Sequence, residues 1–215
     1  MTTVYFVRHA QPNFDNHDDL TRELTPKGLQ DRLLVRDLLA DVPVDAVLSS
    51  PYKRAVDTVQ PVADQRGLTV QEVSDFRERR ITGEWIADFN SYCQAQWADF
   101  DYKLPGGESL REVQQRNVAA LQHVLQQYAG QTVVIGSHGT ALIVMSVDTD
   151  GSFAHITVIF AEPFDHIRIL VRRTAFHSSR QIQDEILRRG SPPRFFDCRT
   201  NIHRKLRIRI RKFFR

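Results

Sequence analysis

Cysteine is nearly absent. Only Cys93 and Cys198 occur in 215 residues, far apart and in no metal-ligand or redox spacing. A disulfide scaffold and a cysteine-based metal site are excluded as organising principles, and the expectation is a cytoplasmic protein with reduced thiols. Long apolar runs are missing too, since no stretch approaches the roughly 18 residues of a membrane span. The first apolar run, residues 4–7, is broken at once by Arg8 and His9, so the N-terminus does not read as a signal peptide. There is no Gly/Ser linker and no internal repeat. With 41% apolar residues the chain is long enough for one sizeable core, and the prior is one domain or slightly more.

Acid is scarce at one end. Residues 168–215 hold 15 Lys and Arg against 3 Asp and Glu, whereas residues 1–167 hold 14 against 23. The net charge of +3 hides two parts of opposite sign. The reading is a domain over 1–145, extending to about 167 on the wider reading, and an atypical basic tail over 168–215. Such a block suits nucleic acid, an anionic membrane or a solvated arm. HITVIFAE (155–162) and HIRILVRR (166–173) read as strands. RQIQDEILRRG (180–190) reads as a short helix, and KLRIRIRKFF (205–214) alternates with period two.

The first 145 residues are better punctuated. VYFV (4–7) reads as a buried strand with Arg8 and His9 at its carboxyl end. After a polar loop, Thr25 is a good N-cap and Pro26 suits the first helical position. Leu29, Leu33, Leu34, Leu38 and Leu39 supply a helical stripe. DAVLSS (45–50) is a second strand, with Ser50 as cap and Pro51 at the start of the next helix. Pro61 is expected to kink that helix. LTVQEV (68–73) is a short strand. Residues 76–106 read as loop-rich, with Trp85, Trp97 and Phe100 more often core than substrate-stacking residues. Residues 108–130 form a long amphipathic helix ending at Gly130, and 132–145 a buried strand, a turn and a helix. The alternation predicts a three-layer α/β/α domain with a mainly parallel central sheet.

Two strands end in a histidine, at His9 and His138, and a third ends in SSP with Arg54 one helical turn further on. Ligands of open α/β sheets bind outside the carboxyl ends of the strands. If these three ends are neighbours, Arg8, His9, Arg54 and His138 converge beside the amide groups of helix starts. Two guanidinium forks and two imidazoles suit a tetrahedral dianion such as a phosphoryl group. Each residue also has a plainer reading. Arg8 and His9 would then be a polar strand terminus, His138 a packed or solvent-edge histidine, and Arg54 a surface helix residue paired with Asp57 or another acid.

Four segments, RHA (8–10), LSSPYKRAVDT (48–58), FRERRITGEW (76–85) and GSHGTAL (136–142), resemble the phosphoglycerate-mutase-like branch of the histidine phosphatase superfamily in order and spacing. The resemblance covers about residues 3–142. It implies a phosphoglycerate-mutase-like fold, with His9 as the nucleophile that becomes phosphohistidine. It implies Arg8, Arg54 and His138 as the phosphate clamp, with Gly139 adjoining the substrate, and Glu78 as the acid and base. Arg77, Arg79 and Arg80 crowd Glu78, and Glu84 and Asp75 are rival acids. Gln11 and Asn13 either hydrogen-bond the substrate or cap their loop. Because side chains supply the positive charge, no metal and no other cofactor is expected.

The loop RHAQPNFDN does not match the residues by which mutases of this family retain their phosphoryl group, which favours a phosphatase. Its partner is then a small phosphorylated substrate. The alternatives are a phosphoglycerate-mutase-type phosphotransferase and a non-catalytic phosphate- or nucleic-acid-binding module using the basic tail. After Leu142 the resemblance stops. A basic appendage, a diverged but folded C-terminus and a frame-shifted sequence compete there, and the abrupt change of charge favours the last.

Overall fold

The structure is a computed structural model and describes residues 2–83, 86–145, 154–161 and 167–172. In chain order the elements are β1 (Thr2–Arg8), α1 (Pro26–Leu38), β2 (Ala46–Ser49), α2 (Lys53–Asp64), β3 (Val70–Glu72), a 3₁₀ turn (Ser74–Phe76), α3 (Phe89–Ala98), α4 (Leu110–Gln127), β4 (Thr132–Ser137), α5 (Gly139–Met145), β5 (Ala154–Ala161) and β6 (Ile167–Arg172). The strands form one sheet in the order β3-β2-β4-β1-β5-β6. All pairings are parallel except β5 with β6. The mainly parallel three-layer architecture is therefore the one the alternation predicts.

The strands are apolar on both faces because helices cover both. Val4, Phe6, Ala46, Leu48, Val133 and Ile135 pack against α4 and α5. Val7, Val47 and Val134 face the other way, onto Val35 of α1, Leu39 just after it, and Val59 and Val62 of α2. Gly136 is needed where α2 lies on β4, since a Cβ there would meet Ser49 Oγ at 2.7 Å and the Ala55 carbonyl at 2.9 Å.

Thr25 caps α1 by accepting the Gly28 N–H, but of the leucine stripe only Leu39 is buried. Leu29, Leu33 and Leu38 are exposed, while Asp31, Val35 and Leu39 are buried. The run of leucines offered two faces, and the sheet selected the one holding Val35. Helix α2 begins at Lys53, not at Pro51. Ser50 Oγ instead accepts the Tyr52 N–H, which fixes a turn ahead of the helix. Pro61 lies inside α2 without ending it. The carbonyl that proline leaves without a helical donor, Asp57 O, accepts a hydrogen bond from Arg32 Nη1.

The segment read as loop contains α3. Asp88 caps it by accepting the Ser91 N–H, and Tyr92, Cys93, Gln96 and Trp97 form its buried side. That i, i+1, i+4, i+5 spacing was the available signal. Trp97 packs with Phe100, Leu110 and Val113 in a satellite core. A full capping box between Ser109 and Glu112 starts α4, and Gly130 (φ +81°) turns the chain toward β4.

The two strands read after residue 153 join the sheet, and β6 straddles the division drawn between residues 167 and 168. Glu84, Trp85, the helix read over 180–190, the alternating run 205–214 and the basic tail after Arg172 lie outside the described residues.

Candidate active site

The sheet order makes β2, β4 and β1 adjacent, so their carboxyl ends meet. Register aligns Arg8 with Ser137 and Ser49 with Gly136. The next residues continue the ladder: the His9 N–H donates to the Ser137 carbonyl (3.0 Å) and the Ser50 N–H to the Gly136 carbonyl (2.9 Å). His9 and His138 are thereby set with ring centroids 5.2 Å apart. Helix α2 brings Arg54, buried and stacked over the Tyr52 ring at 4.9 Å. Tyr52 also meets His138 edge-on, at 5.2 Å between centroids. A Cβ on Gly139 would lie 3.5 Å from Arg8 Nε, so the Arg8 guanidinium runs beside the first residue of α5.

His9 Nδ1 lies 2.8 Å from the Ala10 carbonyl oxygen. A carbonyl only accepts, so Nδ1 carries the hydrogen and, in the neutral ring, Nε2 keeps its lone pair. Burial, then the charges of Arg54 and Arg8, hold the His9 pKa well below its usual value. The ring is neutral at pH 7. His138 is fully buried and likewise held low, by burial and then by Arg54 and His9. Its Nε2 lies 2.7 Å from Ser50 Oγ. Ser50 Oγ also accepts the Tyr52 N–H, and its hydroxyl proton is free to be donated to Nε2, the arrangement in which the neutral ring carries its hydrogen on Nδ1. Arg8 Nε and His138 Nδ1 are buried without a hydrogen-bond partner among the described residues. Unmet polar atoms beside the buried Arg54 guanidinium and the partly buried Arg8 fork suit an anion.

Glu78 follows the 3₁₀ turn. Its Oε1 accepts the Arg79 N–H (2.9 Å) and its Oε2 the Thr140 N–H (3.1 Å) at the start of α5, so the carboxylate reaches the same strand end. Two of the crowding arginines, Arg77 and Arg79, turn elsewhere. Arg79 is buried against Gln96 and Cys93 of α3, and Arg77 pairs with Asp75 and Glu108. Asp57 pairs with Lys53, not with Arg54. Gln11 and Asn13 build their loop. The Gln11 carbonyl accepts the Thr25 N–H, and Asn13 Nδ2 donates to Glu23 (2.6 Å).

Several site residues were not legible beforehand. Thr58 Oγ1 accepts the Ala10 N–H (3.0 Å) and donates to the Arg54 carbonyl (2.7 Å), so it ties α2 to the His9 turn. Its place four residues after Arg54 was the one available hint. Asp19 sits against Arg54 through its carbonyl (2.7 Å) and its carboxylate (3.3 Å), and also pairs with Arg22. No sequence pattern marked that contact.

Among the described residues no helix is long and apolar enough to cross a membrane. The model of the histidine phosphatase superfamily, branch 1, matches residues 4–151. A protein of Hydrogenobacter thermophilus provisionally named phosphoserine phosphatase 2 is 34% identical over 157 residues, covering 66% of this chain and 75% of that protein. The metal-independent phosphoserine phosphatase of Arabidopsis thaliana is 28% identical over 158 residues, covering 66% of each chain. A protein of Salmonella choleraesuis provisionally named phosphoglycerate mutase is 27% identical over 154 residues, covering 66% of this chain and 72% of that one. Among solved structures, YhfR of Bacillus stearothermophilus shares the fold with a TM-score of 0.59 at 24% identity, over 83% of this chain and 99% of that one. The sheet order, the two strand-end histidines and this match agree: the chain belongs to branch 1 of the histidine phosphatase superfamily and is an enzyme of the phosphatase kind.

Proposed function

We propose that the chain is a metal-independent phosphomonoesterase that works through a phosphohistidine on His9. The observation that carries this reading is the His9 ring. Its Nδ1–H is bound to the Ala10 carbonyl, which leaves Nε2 as the free lone pair of a neutral ring that lies beside His138 and in the field of Arg8 and Arg54. In the first step Nε2 attacks phosphorus in line, the P–O ester bond breaks, and Glu78 gives its proton to the departing oxygen. The Nδ1–H stays on the ring, and its hydrogen bond stabilises the cationic phosphoimidazole. Arg8, Arg54, His138 and the Gly139 amide hold the three equatorial oxygens. In the second step Glu78, now a carboxylate, takes a proton from water. The water oxygen bonds to phosphorus as the P–N bond breaks, and orthophosphate leaves with His9 neutral again. The named activities of the relatives support a small phosphorylated metabolite as substrate.

The test is hydrolysis of p-nitrophenyl phosphate by the full chain in excess EDTA, beside His9→Ala. Activity should survive EDTA and vanish in the variant. Loss in EDTA overturns the metal-independent route, and an active variant overturns the nucleophile. Activity that requires a bisphosphorylated activator would move the enzyme to the phosphotransferases.

A further inference from the structure

Arg116, on α4, places its whole fork on the segment that carries Glu78. Nη1 donates to the carbonyl oxygens of Asp75 (2.7 Å) and Arg77 (2.9 Å), and Nη2 to that of Glu78 (3.2 Å). Nε and Nη2 also grip the Glu108 carboxylate, at 2.8 and 3.1 Å. Glu108 in turn accepts Arg77 Nη2 (2.8 Å) and the Arg80 N–H (2.9 Å). The Arg116 and Glu108 side chains are only 11% and 17% exposed. Burial opposes the charge on Glu108, but hydrogen bonds from Arg116 and the Arg80 N–H, with the charges of Arg116 and Arg77, outweigh it and hold the carboxyl below its usual range. The pair is therefore formed at neutral pH.

The pair does more than join a helix to a loop. The three carbonyls that Arg116 binds belong to a stretch with no strand partner, and those of Arg77 and Glu78 are partly buried, where a carbonyl needs a donor. The same stretch presents Glu78, whose carboxylate is held from the far side by the Thr140 N–H. Glu78 is thus fixed at its backbone from α4 and at its oxygens from α5.

We propose that Arg116 and Glu108 are positioning residues that set the backbone of Glu78 so that its carboxyl meets the leaving oxygen. This rests on the reading of Glu78 as the general acid. Neither residue touches the reacting groups. Their effect falls on proton delivery, and so on substrates whose leaving oxygen needs a proton.

The experiment compares kcat/KM, which reports the step that breaks the ester bond, for p-nitrophenyl phosphate and glycerol 2-phosphate in the full chain. Nitrophenolate departs without a proton, and an alkoxide does not. Glu78→Gln should lose about 10²–10⁴-fold on the alkyl ester and far less on the aryl ester. Arg116→Met should show the same skew at roughly 100-fold or less, the cost of a misplaced group. Arg116→Lys and Glu108→Gln should skew in the same direction more weakly. The ratio of the two substrates on one sample does not depend on the folded fraction. Equal losses on both esters in the Arg116 and Glu108 variants, beside a skewed Glu78→Gln, overturn the positioning role and leave the acid in place. A Glu78→Gln without skew overturns the acid and the positioning role with it. If Arg116→Met does not fold, Arg116→Lys and Glu108→Gln decide by the same ratio.

Discussion

The rings of His9 and His138 lie 5.2 Å apart, and the Arg54 charge bears on both. Two imidazoles this close, in reach of Arg8 and Arg54, cannot both accept protons near neutrality. Each is instead held by one short contact, His9 by the Ala10 carbonyl and His138 by Ser50. Their neutrality has a consequence for stability. The unfolded chain protonates its histidines near pH 6.5, whereas the native chain resists until lower pH. Between those limits the unfolded state binds more protons, so stability rises with pH through the window and is fully present above about 6.5. Urea midpoints should fall as pH drops below about 6.5, and His138→Gln should flatten the decline. Glu23, with its carboxyl pushed down to about 2 by Asn16 and Asn13, acts in a separate window below its usual 4.5. Equal slopes in wild type and variant would sink the assignment.

Thr58→Val keeps the shape of the side chain and removes the acceptor of the buried Ala10 N–H. Leaving that donor unpaired should cost about 1–3 kcal/mol, read from urea unfolding. Activity should fall as well, because the Ala10 carbonyl orients the His9 ring. Thr58→Ser should stay near wild type. A valine variant as stable as wild type would show that the turn holds without this bond.

Asp19→Asn removes the carboxylate that faces the Arg54 fork. The carboxylate is 46% exposed, so its pairing with Arg54 is worth only about 0.2–1 kcal/mol. An entering phosphate must displace it. Inhibition by inorganic phosphate should therefore strengthen up to about fivefold in the variant, measured at constant ionic strength. Weaker inhibition would mean that Asp19 orients Arg54 more than it competes.

The strand ends were legible because the chemistry sits beside strong local punctuation. VYFV stops at Arg8 and His9, and the pattern TP at 25–26 marks a helix that does start there. What surrounds those ends was not legible. Thr58 meets Ala10 across 48 residues, Ser50 meets His138 across 88, and Arg116 meets Glu78 across 38. No local window holds both partners of such a bond. The exposed Leu29 and Leu33 were misread for a related reason, since periodicity gives a stripe but only the sheet decides which face of α1 is covered. α3 was hidden by the aromatic and small residues around Asp88, whose cap became clear only with its Ser91 partner.

The place of β1 in the sheet has a consequence for how the chain is made. β1 is central, and both its neighbours, β4 and β5, come much later in sequence. β1 therefore leaves the ribosome well before either of its partners. Contacts of such long separation slow folding. Until Thr132–Ser137 is synthesised, the VYFV strand has neither ladder partner, and an unpaired apolar strand is prone to aggregate. The nascent chain should depend on holdase chaperones until then, and enzymatic activity should appear abruptly, with no partly active intermediate.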